Sequence, residues 1–504
     1  MRTRIKQAFW GVFVVGTFML NRDLNANLPD DNKINFGIEE AFREDPRIFS
    51  GGINVSTKGG IVKLAGTVYN LAEKNYALKE AKKIDGVVSV IDTIDVQPAF
   101  VPDDRITENI LHRFRSNSVL HSDKIDVKTR KGFVTLTGKV SSMSKQDEAT
   151  LIVSQVAGVK SILNKLEVIR RQSVADEDIE ADLLETIRRD VYLTGLPIQV
   201  SVKDGVVVLS GQVANAYQKD RAETKTLWIR NIAAVRNGLV VDPKKERGER
   251  NRRPQLTDEQ LRNAILSTLT LDSRISESAS FDVRVESGHV ALRGIVPTTF
   301  QREIAEQDVR NVVGVAWVSN LLLVFPERRT DPDIEEDINT QFDTDYMLLG
   351  LGLKATCKDS AVTLSGNVNT AYAKTRAGQL VRRIQGIRQV VNNISVEEPR
   401  IYRNAALRKR IQERLALNWE TALIADSIKV SIKNGKATLD GVVQMWGQRK
   451  EAERVAYFTD GIWAVDNRLK VGDTEYDWEK WYFDYPNTYI DEFYPGFESY
   501  YYQR

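Results

Sequence analysis

Hydrophobic and polar residues alternate through "NGKATLDGVV" (434–443), a turn followed by a strand, yet Gly441 stands where a strand former belongs. The pattern recurs at "GGIVKLAGTV" (59–68), "KGFVTLTGKV" (131–140), "DGVVVLSGQV" (204–213), "SGHVALRGIV" (287–296) and "DSAVTLSGNV" (359–368). Each copy has a leucine followed two residues later by glycine: Gly66, Gly138, Gly211, Gly294, Gly366 and Gly441. Roughly twenty residues further on comes a second signature: "GVVSVIDTIDV" (86–96), "GVKSILNKLEV" (158–168), "NIAAVRNGLVV" (231–241), "GVAWVSNLLLV" (314–324), "GIRQVVNNISV" (386–396) and "GIWAVDNRLKV" (461–471). Five of the six open with glycine, as suits the residue after a helix. Asp92, Asn164, Asn237, Asn320, Asn392 and Asn467 precede the final strand, where turn chemistry is expected.

The period shifts elsewhere in each unit. "DEDIEADLLETIRRDVYL" (176–193) and "TDEQLRNAILSTLTLD" (257–272) read as helices, with Asp176 and Thr257 as N-caps. "IDVKTR" (125–130), "IQVSVK" (198–203), "FDVRVE" (281–286) and "IKVSIK" (428–433) alternate as strands and run directly into the glycine-containing strand, which predicts a hairpin. A helix of about four turns, such as "QREIAEQDVRNVV" (301–313), leads to the last strand. The chain is thus read as α+β: six tandem α-β-β-α-β repeats, each a three-stranded mixed sheet covered on one face by two helices. The second helix makes strands two and three parallel through a right-handed crossover. Val62, Leu64 and Gly66 fall on the helix-covered side, so the missing β-carbon is expected to let a helix approach closely or to permit a bulge.

These signatures, in this order, resemble the BON domain family (bacterial OsmY and nodulation domain), with its "GxVxLxGxV…GVxxVxNxLxV" consensus. The resemblance covers about residues 33–471. It implies this fold, export to the periplasm or outer envelope, and non-catalytic binding to phospholipid or membrane surfaces. Repeat 3 departs from the pattern at Asn231 and repeat 5 at Ser360, and six copies exceed the common one to three. The repeats are placed at 33–98, 104–169, 176–242, 257–324, 331–397 and 402–471.

The remaining pieces differ in composition. Residues 1–26 have a basic start (Arg2, Arg4, Lys6) and an apolar run from Ala8 to Leu20, which reads as an export signal. "LNA" ending at Ala26 is an imperfect cleavage site, which leaves an uncleaved anchor as the other reading, and the lack of a following cysteine argues against lipidation. The expected location is the periplasm, the outer envelope or the exterior. A basic linker (243–256) carries Lys244, Lys245, Arg247, Arg250, Arg252 and Arg253, read as a solvated segment or a contact for anionic lipid. Val206, Val208 and Val240 give repeat 3 an apolar outward sheet face, with Ala291 and Leu323 equivalent in repeat 4, so these faces are expected to dock against other parts of the chain, the other reading being a second chain or lipid. The tail (472–504) has thirteen aromatics, eight acids and two bases. Its Trp478, Trp481, Tyr482, Phe483 and Tyr485 suit its own last domain, a neighbouring subunit or, third, the sugars of the cell wall.

A net charge of +2 gives no nucleic-acid-scale field. The single cysteine excludes an internal disulfide and reads, as Cys357, as a core residue. His112, His121 and His289 lack metal-ligand spacing, and the glycines lack phosphate-loop spacing. Acids in the first turns of helices are assigned to the helix dipole. No cofactor, metal or catalytic residue is expected. The partner is read as a membrane phospholipid surface or an envelope protein. The other reading is a self-assembling homo-oligomer built through the tail and the exposed sheet faces.

Overall fold

In repeat 1 the leading helix, Asp31–Glu44, is opened by Asp30, whose carboxylate accepts the Lys33 N–H at 2.7 Å. The strand Ile53–Lys58 then pairs antiparallel with the central strand Ile61–Val68. The crossover helix Leu71–Lys82 returns the chain to Ser89–Val96, which lies parallel to the central strand on its other side. Val62 and Leu64 face inward, fully buried, against Ile34, Ile38 and Phe42 of one helix and Ala77 and Ala81 of the other. This arrangement recurs in all six repeats, each with its own core. The computed structural model describes residues 30–170, 174–243, 256–397 and 403–472.

The repeated glycine has a different cause from the one expected. All six adopt φ between +110° and +134°, a region hostile to L side chains. A β-carbon at Gly66, Gly138, Gly211, Gly294 or Gly441 would lie 2.0–2.5 Å from a carbonyl oxygen at the start of the hairpin's first strand. At Gly366 it would meet the Leu353 side chain at 2.9 Å. The obstruction is therefore the hairpin's other strand and not a helix. The departures from the pattern follow the same conformational logic, since Asn231 and Ser360 sit at φ +64° and +62°.

The first-turn acids do more than complement a dipole. Asp176 is the first helical residue and Ala175 the N-cap. The Asp176 carboxylate accepts the N–H groups of Asp204 and Gly205 at 2.6 and 2.9 Å, clamping the hairpin turn. Asp31, Asp103 and Asp331 do the same in their repeats, and Asp258 accepts from Ser287. These bonds hold the Asp31, Asp103 and Asp331 carboxyls below their ordinary values. The asparagines of the second signature make the expected turn and are ties as well. Asn237, Asn320, Asn392 and Asn467 each donate to a crossover-helix carbonyl and accept an N–H two residues on. In these four repeats the third strand breaks just after the asparagine, as in Ala234–Asn237 and Val240–Val241.

Gly211→Ala should lower stability by about 1–3 kcal/mol, because it imposes both a strained backbone and a clash with the Pro197 carbonyl at 2.1 Å. Thermal melting of the variant checks this, and an unchanged midpoint would refute the conformational account.

Candidate functional site

Every leading helix ends on a buried Asp or Asn: Asp45, Asn117, Asp190, Asp272, Asp345 and Asn418. In each, Oδ1 accepts the N–H two residues ahead at 2.7–3.1 Å, turning the chain out of the helix. The identity of the residue matches its neighbour on the crossover helix. Asn117 and Asn418 donate to Glu148 and Glu451 at 3.1 and 2.7 Å, whereas Asp190 and Asp345 accept from Arg221 and Arg376.

This turn is also where repeats join. Asn117 bridges to Ile384 and Asp345 to Val156, so repeats 2 and 5 exchange equivalent antiparallel contacts. Asp190 with Val312 and Asp272 with Ile229 do the same for repeats 3 and 4. Repeats 1 and 6 join through Ile84 and Asn418, with Glu44 accepting the Asp460 N–H at 3.1 Å on the other side. The pairs are 1·6, 2·5 and 3·4.

A second set of contacts closes rings. The first residues of the crossover helices reach onward: Leu71 packs on the core of repeat 2, Met143 on that of repeat 3, and Ala216 on that of repeat 1. In the other half, Thr299 donates to the Arg382 carbonyl and Tyr457 to that of Ala371. Trp446 meets Trp317 edge-on at 4.9 Å, which completes the cycle 4–5–6. Two rings of three repeats are therefore stacked helix side to helix side, and the sheets face outward.

Charge is concentrated between the rings. Arg454 holds Glu80 at 2.9 Å and Lys83 holds Glu451 at 3.3 Å across the 1·6 joint. Arg113, fully buried across the 2·5 joint, donates to the Gln341 carbonyl at 3.1 Å, and burial lowers it to about 10 against the pull of Asp345. His112 Nε2 lies 3.2 Å from Asp337 in the same joint, its pKa lowered by burial. In the 3·4 joint Asp308 sits beside Arg274 at 3.1 Å and Lys225 at 3.6 Å. Burial, and then the Asp272 carboxylate, raise Asp308 to about 7.

Repeats 3 and 4 meet through helix ends and not through their sheet faces. Val208 and Val240 are exposed and Val206 half-buried on the outward face of repeat 3. Ala291, equivalent to Val208, is buried, and Leu323 is half-buried. Repeats 1 and 2 place Ile61 and Ile91, and Phe133 and Leu163, at matching exposed positions beside Lys63, Lys128 and Lys139. Lys244, Lys245, Arg247, Arg250, Arg252 and Arg253, and Trp478, Trp481, Tyr482, Phe483 and Tyr485, lie outside the described residues, as does the 1–26 segment.

Cys357 is half-buried against the core of repeat 5, and its thiol, 3.2 Å from Asp331, is pushed up to about 12 by burial and that carboxylate. His121 is exposed. No cluster of three or more His, Cys, Asp or Glu suited to a metal occurs among the described residues, and none of their helices is long and apolar enough to cross a membrane. The joints were missed in the sequence because the glycine signatures drew attention to the hairpins. The signal was present as an Asp or Asn at the end of each leading helix.

The BON domain model matches residues 30–98, 102–170, 175–243, 257–325, 330–398 and 403–473. The osmotically-inducible protein Y of Escherichia coli (strain K12) is 32% identical over 148 residues, which are 28% of this chain and 74% of that protein. The outer membrane lipoprotein DolP of Haemophilus influenzae is 28% identical over 140 residues, covering 27% of this chain and 72% of that one. Among solved structures, the C-terminal domain of CdsD, a structural protein of the type III secretion system of Chlamydia trachomatis, matches 41% of this chain and 96% of its own length, at 18% identity and a TM-score of 0.13. A second CdsD structure matches 42% of this chain at 16% identity and a TM-score of 0.12.

Two outcomes follow from the joints. Proteolytic cleavage within 244–255 should leave repeats 1–3 and 4–6 associated on size exclusion, since the three joints and not the linker hold the rings together. Separation of the two fragments would refute this arrangement. For Asp308, the folded value lies above the unfolded ~3.9. The folded state then holds a proton that the unfolded chain has released, so stability falls as pH rises from about 4 to about 7. Asp308→Asn should flatten that slope in melting curves, and an unaltered slope would dismiss the assignment.

Proposed function

The chain belongs to the BON domain family, and from that premise we propose a non-enzymatic, exported envelope protein that binds anionic phospholipid surfaces through its outward sheets. The observation that carries this reading is the outer face of repeats 1 and 2. Phe133 and Leu163 are 58% and 54% exposed, with Ile61 and Ile91 exposed at the same positions of repeat 1. Exposed Lys58, Lys63, Lys128, Arg130, Lys131 and Lys139 surround them. Exposed apolar side chains ringed by cations suit insertion into a headgroup layer, each basic group contributing about 1 kcal/mol near an anionic surface.

The helix faces support the same choice by elimination, because the joints between repeats occupy them. The basic run Lys244–Arg253 adds positive charge to the chain, and the export-like start at 1–26 accords with an envelope location. The relative DolP is an outer membrane lipoprotein by name.

The test is co-sedimentation of the full chain with phosphatidylglycerol vesicles and, separately, with phosphatidylcholine vesicles across a salt series. Binding confined to the anionic vesicles and released by salt is expected. Phe133→Glu with Leu163→Glu should weaken it at least tenfold. Equal binding by the double variant would overturn the proposed surface, and pelleting without vesicles would favour self-assembly.

A further inference from the structure

The crossover helices of each ring run head to tail. Thr299, the first residue of Thr299–Arg310, donates to the carbonyl of Arg382, the last residue of Ala371–Arg382. The Ala371 carbonyl in turn accepts from Tyr457, the last residue of Trp446–Tyr457. Arg310 stacks on Trp446 at 4.6 Å, which closes a triangle of three helices. In the other ring Ala216, at the start of Ala216–Trp228, donates to the Val87 carbonyl at 3.1 Å, and Lys82, at the end of Leu71–Lys82, pairs with Asp220. Ala77 and Ala81 pack on their own sheet, so Asn75 and Lys79, the fifth and ninth residues of that helix, lie on its opposite face and point inside the triangle. The fifth and ninth residues of all six crossover helices escape burial, although they stand at the middle of the molecule. The water they meet is enclosed by protein: Lys79 and Asp147 are exposed, yet burial lowers the pKa of Lys79 and raises that of Asp147. Asp147, in repeat 2, also lies in the field of Lys79, Arg274 and Arg383, which belong to repeats 1, 4 and 5.

We propose that the two triangles enclose a water-filled chamber on the axis of the rings, and that this chamber binds a small zwitterionic solute between Lys79 and Asp147. The pattern of ion pairs selects the class of ligand. Four of the charged side chains at the inward positions are paired: Asp220 with Lys82 at 2.7 Å, Glu303 with Arg382 at 3.1 Å, Lys450 with Glu453 at 3.2 Å and Arg454 with Glu80 at 2.9 Å. The other two, Lys79 and Asp147, make no ion pair or hydrogen bond among the described residues. They come from neighbouring repeats of one ring, carry opposite charge and act on each other without touching. The space between them suits a molecule with a carboxylate for Lys79 and a cationic group for Asp147. An uncompensated charge in enclosed surroundings is costly, and one ligand carrying both counter-charges relieves the two deficits together. A plain anion or a plain cation answers only one of them. Size is bounded by the walls, since a helix of 12 residues is about 18 Å long.

Lysine acetylation of the full chain, read by mass spectrometry, tests this. Lys79 should react with acetic anhydride faster than the buried Lys225, and should resist an active ester carried on a long polyethylene glycol, which the exposed Lys58 accepts. γ-Butyrobetaine should slow acetylation of Lys79 at least fivefold and leave Lys58 unchanged. Butyrate and tetramethylammonium, each at the same concentration, should alter it less than twofold. Asp147→Asn replaces an exposed, unpaired side chain and should keep the melting midpoint while losing the protection. Modification of Lys79 by the polymer reagent would overturn the chamber, as would a Lys79 no more reactive than Lys225. Equal protection by butyrate, protection that persists in Asp147→Asn, or none by γ-butyrobetaine would overturn the zwitterion site.

Discussion

The architecture depends on one buried Asp or Asn at the end of each leading helix. That residue closes the helix through its own side chain, and in five of the six repeats it bridges to another repeat, Asp45, which precedes Pro46, being the exception. Its burial is tolerable because every copy has a matched partner, amide with carboxylate or carboxylate with guanidinium. Removing the side chain would leave buried groups unsatisfied, at about 1–3 kcal/mol each, and would do so at the point where two domains meet. The fold of a repeat and the association of repeats therefore rest on the same atoms.

This coupling explains the distribution of character over the surface. Helix faces that would be solvent-exposed in an isolated domain are used between the rings, where Arg113 and Arg376 neutralise Asp345 and Arg454 neutralises Glu80. Sheet faces are left outside and have diverged: apolar with cations in repeats 1 and 2, apolar in repeat 3, closed in repeat 4. A module whose helices are spent on packing can vary its outward strands without disturbing its core, since adjacent strand residues point to opposite sides.

Much of each repeat was legible in the sequence. Alternation and the two signatures fix the strands, the parallel crossover and the inward Val62 and Leu64. What the pattern could not supply was the cause behind each marker. Gly211 looked like a helix-packing site and is a hairpin crossing, and Asp176 looked like a cap and is a turn clamp. Asn237 looked like a turn, which it makes, and it also ties a strand to a helix. Periodicity reports which side a residue faces, not which atom it meets. Domain order was illegible for a further reason: the joints link residues hundreds of positions apart, such as Lys83 and Glu451, and no local pattern encodes that distance.

The pairing 3·4, 2·5 and 1·6 is nested, like the rungs of a hairpin whose strands are whole domains. The innermost rung spans the shortest stretch of chain and the outermost nearly all of it, so closing 3·4 first costs the least entropy and brings the next rung within reach. Synthesis runs in the same direction. Repeats 1–3 can close their ring while the second half is still being made, and they wait as a template whose charged joints stay wet until repeats 4, 5 and 6 dock in that order. A linear array can gain or lose a single repeat and still fold, whereas this nested order needs an even count, and the loss or gain of one repeat leaves a joint face unpaired.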